Sequence, residues 1–249
     1  LARSLGERSA SAQQLWAALA ECGPIAHERA ELLRSLAEDV RDRPDLWVRV
    51  AEAELAALDP KATVFVERRH ALRAQLAGAY ASALALPEFA IAHLAALLDG
   101  ELSGGDPRLR GERQRAGELL IAELRRVGDP VGLERRLGAQ LAAFPAPEAA
   151  PWLELGLLRL ELLHRPGAAA DAFDAALRCD ANSLPALRGL RAACELLGRW
   201  QEVAGALERE LAARPTATAS ERAALFRRLG EVSWRRLDET TRASRAYAS

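Results

Sequence analysis

Methionine is missing from this sequence altogether, lysine occurs once, at Lys61, and asparagine once, at Asn182. Aromatic residues make up only 5% of the chain, and there are three cysteines, Cys22, Cys179 and Cys194. Each scarcity closes off a class of protein. Three scattered cysteines, with no CxxC pair, cannot close a disulfide framework or a zinc ribbon, and they suit a reducing cytosol. Valine, isoleucine and threonine are sparse and never alternate in a run, so nothing seeds a β-strand. The net charge of -1 comes from 34 basic and 35 acidic residues spread along the length, which leaves no broad electrostatic footprint for nucleic acid. No basic, apolar and small-residue leader opens the chain. Its start at Leu1 with no methionine leads us to expect a fragment whose native N-terminus is absent.

What is abundant is alanine and leucine interleaved with arginine and glutamate, all strong helix formers, in a chain half of whose 249 residues are apolar. That is enough to bury a substantial core without a staple. The longest weakly charged stretch, Leu76 to Leu98, contains Glu88, His93 and the interruption Pro87, and so reads as two consecutive buried helices rather than a membrane span. The expected fold is all-α.

Self-similarity then organises the second half. Trp152, Leu155 and Gly156 match Phe226, Leu229 and Gly230; Leu187, Leu190 and Arg191 lie between them in the same frame, with glycine replaced, and Gly117, Leu120 and Ile121 repeat it upstream without the aromatic. A second frame pairs a small or apolar residue with a large one four places later: Leu133 and Leu137, Ala169 and Phe173, Val203 and Leu207, Ala243 and Tyr247. Pro145 and Pro215 close two of the units. The units run 114–147, 149–183 and 184–217, and a last one begins near Glu221. Within "LLGRWQEVAGAL", Leu196 to Leu207, Gly198 is placed to end one helix in left-handed backbone, Trp200 to pack over the turn, and Val203 with Leu207 to face inward. Gly128-Asp129-Pro130 repeats that punctuation.

Units of about 34 residues in this order resemble the tetratricopeptide repeat. The resemblance is specific from Gln114 to Tyr247 and implies a right-handed α-solenoid of stacked antiparallel helix pairs, with degenerate repeats over 1–107 and the regular array over 108–249. Departures are Arg159 and Ser233 in the slot of a late first-helix aromatic, and extra residues in the turns at His164 to Gly167 and Asp238 to Thr240. Ser249 falls inside the second helix of its unit, which leads us to expect that the array extends further or that this end docks on something else.

No catalytic constellation accompanies the repeats. His27, His70, His93 and His164 lack metal spacing, no phosphate loop or GxSxG elbow occurs, and "SGGDP", Ser103 to Pro107, reads as a linker. We therefore expect no enzyme activity, no cofactor, no metal and no small-molecule substrate, and a cytoplasmic bacterial protein that binds neither membrane nor nucleic acid. The resemblance implies that first helices face a partner protein or peptide, or another copy of the chain. It places Glu118, Ala122 and Arg125, Leu153, Leu157 and Leu160, Arg188, Ala192 and Glu195, and Arg227, Glu231 and Trp234 along that groove. For Leu153, Leu157 and Leu160 the favoured reading is packing against the neighbouring repeat, with the groove as its rival, and for Trp234 it is cover by a following unit. The groove lacks the lysines and asparagines of the tetratricopeptide form that clamps chaperone tails. The leading function is an interaction scaffold; the alternative is a regulatory or sensor segment of a larger enzyme or transcription regulator.

Overall fold

The computed structural model describes residues 26–101, 107–144, 148–214 and 218–248. Cys22, Pro145, Pro215 and most of the Ser103 to Pro107 linker lie outside the described residues, as does the side chain of His27. All regular structure among the described residues is helical. The chain divides into two compact units, Leu1–Asp129 and Pro130–Ser249. That division falls within the 114–147 segment, in the Gly128-Asp129-Pro130 turn.

The first unit contains α1 (Ala26–Asp39), α2 (Pro44–Ala57), α3 (Val66–Gly78), α4 (Pro87–Ala96) and α5 (Arg110–Val127). Proline opens both α2 and α4, where its missing N–H costs nothing and its fixed φ suits the first turn. Successive helices pack on one another. Leu72, Leu76 and Tyr80 of the third helix and its wide final turn meet Val48 and Ala51 of α2 and Ala90 of α4 in one buried cluster. The Leu76 to Leu98 stretch is thus two consecutive helices, and no described helix is long and apolar enough to cross a membrane.

A fully buried carboxylate, Glu54, sits in this unit, held by both Arg68 Nε and Nη2 at 2.6 and 2.7 Å and approached by Arg34 Nε at 3.6 Å. A charge this deep is tolerable only because the bidentate guanidinium replaces its lost water.

The second unit contains α6 (Pro130–Ala143), α7 (Ala149–Leu157), α8 (Pro166–Cys179), α9 (Leu184–Leu197), α10 (Trp200–Ala213), α11 (Ala219–Arg235) and α12 (Thr240–Ala248). Its core runs continuously from Ala169 and Phe173 through Leu187, Leu190 and Cys194 to Val203, Leu207, Leu229 and Ala246. Phe173 is the key. Its ring lies against the backbone of Gly156 on α7 and of Gly189 on α9, so closely that a Cβ on Gly156 would come within 2.5 Å of it and one on Gly189 would clash as severely. One aromatic on a second helix therefore sets the approach of two first helices at once. Tyr247 stands on Gly230 in the same way, at 2.7 Å from the position of an added Cβ.

The sequence separation from Gly156 to Phe173 equals that from Gly230 to Tyr247. Both of those units carry a turn with one extra residue, at His164 and at Asp238, whereas the middle unit ends its first helix at Gly198 without it; counted back one residue fewer, Leu207 corresponds to Arg191. The middle unit's frame is therefore the one the sequence pattern gives, Leu187, Leu190 and Arg191: the bond from Arg199 N–H to Cys194 O takes the place of those from Arg165 to Arg159 and from Glu239 to Ser233, one residue shorter.

Helix ends come in two forms. Gly128 and Gly198 take left-handed backbone, with φ of 76° and 69°, as their placement in the sequence predicts. At Gly198 the requirement is backbone conformation rather than room, since an added Cβ would meet only Trp200 Nε1 at 3.9 Å. The second form is wider. Ala85, His164 and Asp238 are left-handed without being glycine, and each is flanked by bonds that span an extra residue: Leu86 N–H to Tyr80 O at 2.8 Å, Arg165 N–H to Arg159 O at 2.7 Å, and Glu239 N–H to Ser233 O at 2.8 Å. The extra turn residues seen in the sequence at His164 and Asp238 are these wide caps.

Candidate functional site

In the second unit the first helices α7, α9 and α11 follow one another side by side. Helices α7 and α9 are in contact, and α9 is tied to α11 by the ion pair of Glu195 with Arg228 at 3.2 Å. Their order follows from the glycine contacts: Phe173 holds α7 and α9 against α8. The eight candidate residues from Leu153 onward lie on these three helices and on the wide turn, Leu158–Leu162, that continues α7. Glu118 and Arg125 lie on α5 in the first unit, both exposed, and Glu118 accepts from Gln114 Nε2 at 3.0 Å.

The eight do not share one environment. Leu153 and Leu160 are partly buried and pack against the core, as the inter-repeat reading requires, whereas Leu157 is 37% exposed. Arg188 is turned to a structural duty: its Nε donates to Glu210 Oε1 at 2.8 Å, with Arg191 Nε at 3.7 Å from the other oxygen of this buried carboxylate. Glu195 is shared between Arg191 and Arg228. Glu231 pairs with Arg228 at 3.6 Å. Arg227 is exposed with no partner among the described residues, and Trp234 is 56% exposed, with the Arg235 guanidinium 5.8 Å from its ring.

Chemically, this face offers two exposed apolar groups, Leu157 and Trp234, the guanidinium of Arg227 and a row of neutralised charges. The carboxylates of that row are matched by arginines, so none is poised as a general acid or base. Among the described residues no group of histidine, cysteine and carboxylate side chains has the geometry to hold a metal. Cys194 is fully buried, and burial, reinforced by the neighbouring Glu202 carboxylate at 3.4 Å, pushes its thiol up to about 12; it is a packing residue rather than a nucleophile.

The sequence singled out Arg159 and Ser233 as departures without saying what they do. Arg159 uses the aromatic's slot to reach across to α6, donating to Glu134 at 2.9 Å and to Ala168 O at 3.1 Å. Ser233 is fully buried and its hydroxyl finds no partner among the described residues. Sequence reasoning also passed over two polar groupings of the first unit. One is the Glu54 clamp. The other joins Tyr80, whose hydroxyl donates to Glu52 Oε1 at 2.5 Å, to His93, whose ring stacks on Tyr80 at 5.6 Å and whose Nε2 is 3.7 Å from the same oxygen. Their spacing follows no local motif, so only the packed helices reveal them.

No family model matches the chain, and neither does any curated protein. Among solved structures, it is similar to MamA, at 14% identity over 69% of this chain and 90% of that one, with a TM-score of 0.44. The C-terminal part of a TPR repeat-containing protein from Cytophaga hutchinsonii matches at 14% identity over 95% and 86%, with a TM-score of 0.43. A tetratricopeptide repeat protein from Parabacteroides merdae matches at 16% identity over 87% and 77%, with a TM-score of 0.39. In its helix pairing and in its aromatic-on-glycine contacts, the chain has a tetratricopeptide-like, all-α fold.

Proposed function

We propose that the protein is a non-enzymatic scaffold that binds a protein or peptide through the first-helix face of its second unit. The observation that supports this most directly is Trp234, a large aromatic left more than half exposed on a helix whose other large apolar side chains are used in packing. Tryptophan and arginine are the residues that most often dominate binding energy at protein interfaces, and Arg227 lies two helical turns before it with its guanidinium unused among the described residues. Leu157 adds an apolar anchor on α7. Rigid stacked helices present such a surface at little ordering cost. A second copy of the chain is one protein this face could take, and sedimentation across a concentration series tests that case.

The discriminating experiment compares affinity capture from source lysate by the protein and by a triple variant, Leu157→Glu, Arg227→Glu and Trp234→Ala. Arg188 is left intact because its loss would strand the buried Glu210. Partners held by the unaltered protein are expected to be lost from the variant while its helical content and unfolding midpoint stay the same. Equal retention of every partner would remove this face from consideration.

A further inference from the structure

A recess of about 470 Å3 opens in the first unit between α1, α2 and α3. Three guanidinium groups line it, those of Arg34, Arg41 and Arg68, together with Glu38 and an apolar wall of Trp47 and Leu72. Behind the lining lies the buried Glu54. Arg68 gives both Nε and Nη2 to that carboxylate, so its fork is already used. Arg34 only approaches it, at 3.6 Å, with its side chain 50% exposed. Arg41 is exposed and makes no side-chain hydrogen bond or ion pair among the described residues. Donors at the recess thus outnumber acceptors.

Charge sets the size of the missing group. The three arginines are opposed by Glu38 and Glu54, which leaves one positive charge in excess. A single carboxylate cancels it. A phosphate, carrying nearly two negative charges at neutral pH, would overshoot in a partly enclosed site. The apolar wall decides between sources of that carboxylate. A chain terminus would bring its own peptide N–H and C=O against Trp47 and Leu72, where they lose water without a matching partner. A glutamate side chain instead lays two methylenes along the wall and leaves its backbone outside.

We propose that this recess binds a glutamate side chain of a partner protein, with Arg41 and the open donors of Arg34 holding its carboxylate and Trp47 with Leu72 covering its stem. Arg68 is the positioning residue: locked on Glu54, it fixes one wall of the recess. The site lies wholly in the first unit, so its fate is separate from that of Leu157, Arg227 and Trp234.

The test uses the full chain and three short peptides observed by fluorescence anisotropy. One is an acetylated, amidated peptide of alternating leucine and glutamate; the second replaces each glutamate with glutamine; the third is the glutamine peptide with a free C-terminus. The glutamate peptide is expected to bind at least tenfold more tightly than either other peptide, with affinity falling as salt is added. Arg41→Glu is expected to abolish that preference without moving the unfolding midpoint, and Arg41→Gln to weaken it. Equal binding of the glutamate and glutamine peptides overturns the proposal. So does an unchanged preference in Arg41→Glu, the absence of binding up to millimolar peptide, or equal binding of the free-terminus peptide, which would assign the recess to chain ends.

Discussion

Phe173 in the second unit and Tyr80 in the first are both nearly or fully buried aromatics at the centre of a helix cluster, yet they hold their neighbours by different means. Phe173 is clamped between two glycine backbones inside an apolar cluster. Tyr80 has no glycine under it; it stacks on Phe89 at 5.1 Å and on His93 at 5.6 Å, and its hydroxyl is tied to Glu52. Glycine permits the closest approach of helix axes and rewards shape alone. In the first unit the place of that clamp is taken by stacked rings with a polar edge. The difference explains why the second unit reads as a repeat in sequence and the first does not: a glycine and a ring at fixed separation form a pattern, while a stacked polar cluster can be assembled from many positions.

The sharpest way to break this comparison is to remove the ring from the clamp. Phe173→Ala is expected to cost about 3–5 kcal/mol, because the cavity left between α7, α8 and α9 cannot collapse past two helix backbones. Gly156→Ala, which forces a methyl into the ring, should cost about 1–3 kcal/mol, and Phe173→Leu in the same chain should recover part of it. Chemical denaturation gives the totals. Amide exchange should show the loss in α7 to α10 first, and a loss of protection confined to α1 to α4 would refute the clamp.

In the first unit the corresponding change is smaller. Tyr80→Phe keeps the stack and removes one hydrogen bond to a carboxylate that is 42% exposed and can recruit water, so a loss of about 1 kcal/mol is expected. The same cluster makes stability depend on pH. Burial holds the His93 imidazole below its ordinary value of 6.5; the Glu52 charge works against this shift and that of Arg73 works with it. A base whose folded pKa is depressed binds its proton more readily in the unfolded chain. Its contribution is therefore complete above pH 6.5 and declines as pH falls from there through the folded value. Unfolding midpoints measured from pH 8 to pH 5 should show this decline, and His93→Phe should flatten it; an unaltered slope in that variant would assign the pH dependence elsewhere.

The smallest effect concerns the two kinds of helix end. Ala85 holds a left-handed backbone, φ 54°, that Gly198 holds without strain. Ala85→Gly is expected to stabilise the first unit by about 0.5–1 kcal/mol, the relief of its Cβ strain less the extra freedom that glycine has when unfolded. A neutral or destabilising result would show that the wide cap, with its 2.8 Å bond from Leu86 to Tyr80, already absorbs the strain.

The all-helical class, the glycine-ended helices at Gly128 and Gly198, and the inward positions of Val203 and Leu207 were legible in the residues, because each follows from local backbone preference or from spacing along one helix. The wide cap at Ala85 was not legible, since alanine carries no signal for left-handed backbone. The middle frame, Leu187, Leu190 and Arg191, was legible, because its inward leucines keep their spacing where the glycine is replaced. Of the groove residues, the sequence could name Leu153, Leu157 and Leu160 as a set, but only packing separates Leu157, open to solvent, from its two companions against the core.

By itself, then, the sequence determined which segments are helical, where several of them stop, and that they repeat, since those properties depend on neighbours within a few turns. The tertiary structure alone decided which charges are spent and which are free. Arg188 and Arg227 occupy alike positions in the sequence pattern, but one is bound to buried Glu210 and the other is open, and the recess of Arg34, Arg41 and Arg68 exists only where three helices meet around Glu54. Pairing between side chains distant along the chain is set by helix stacking, and no local rule of sequence contains that information.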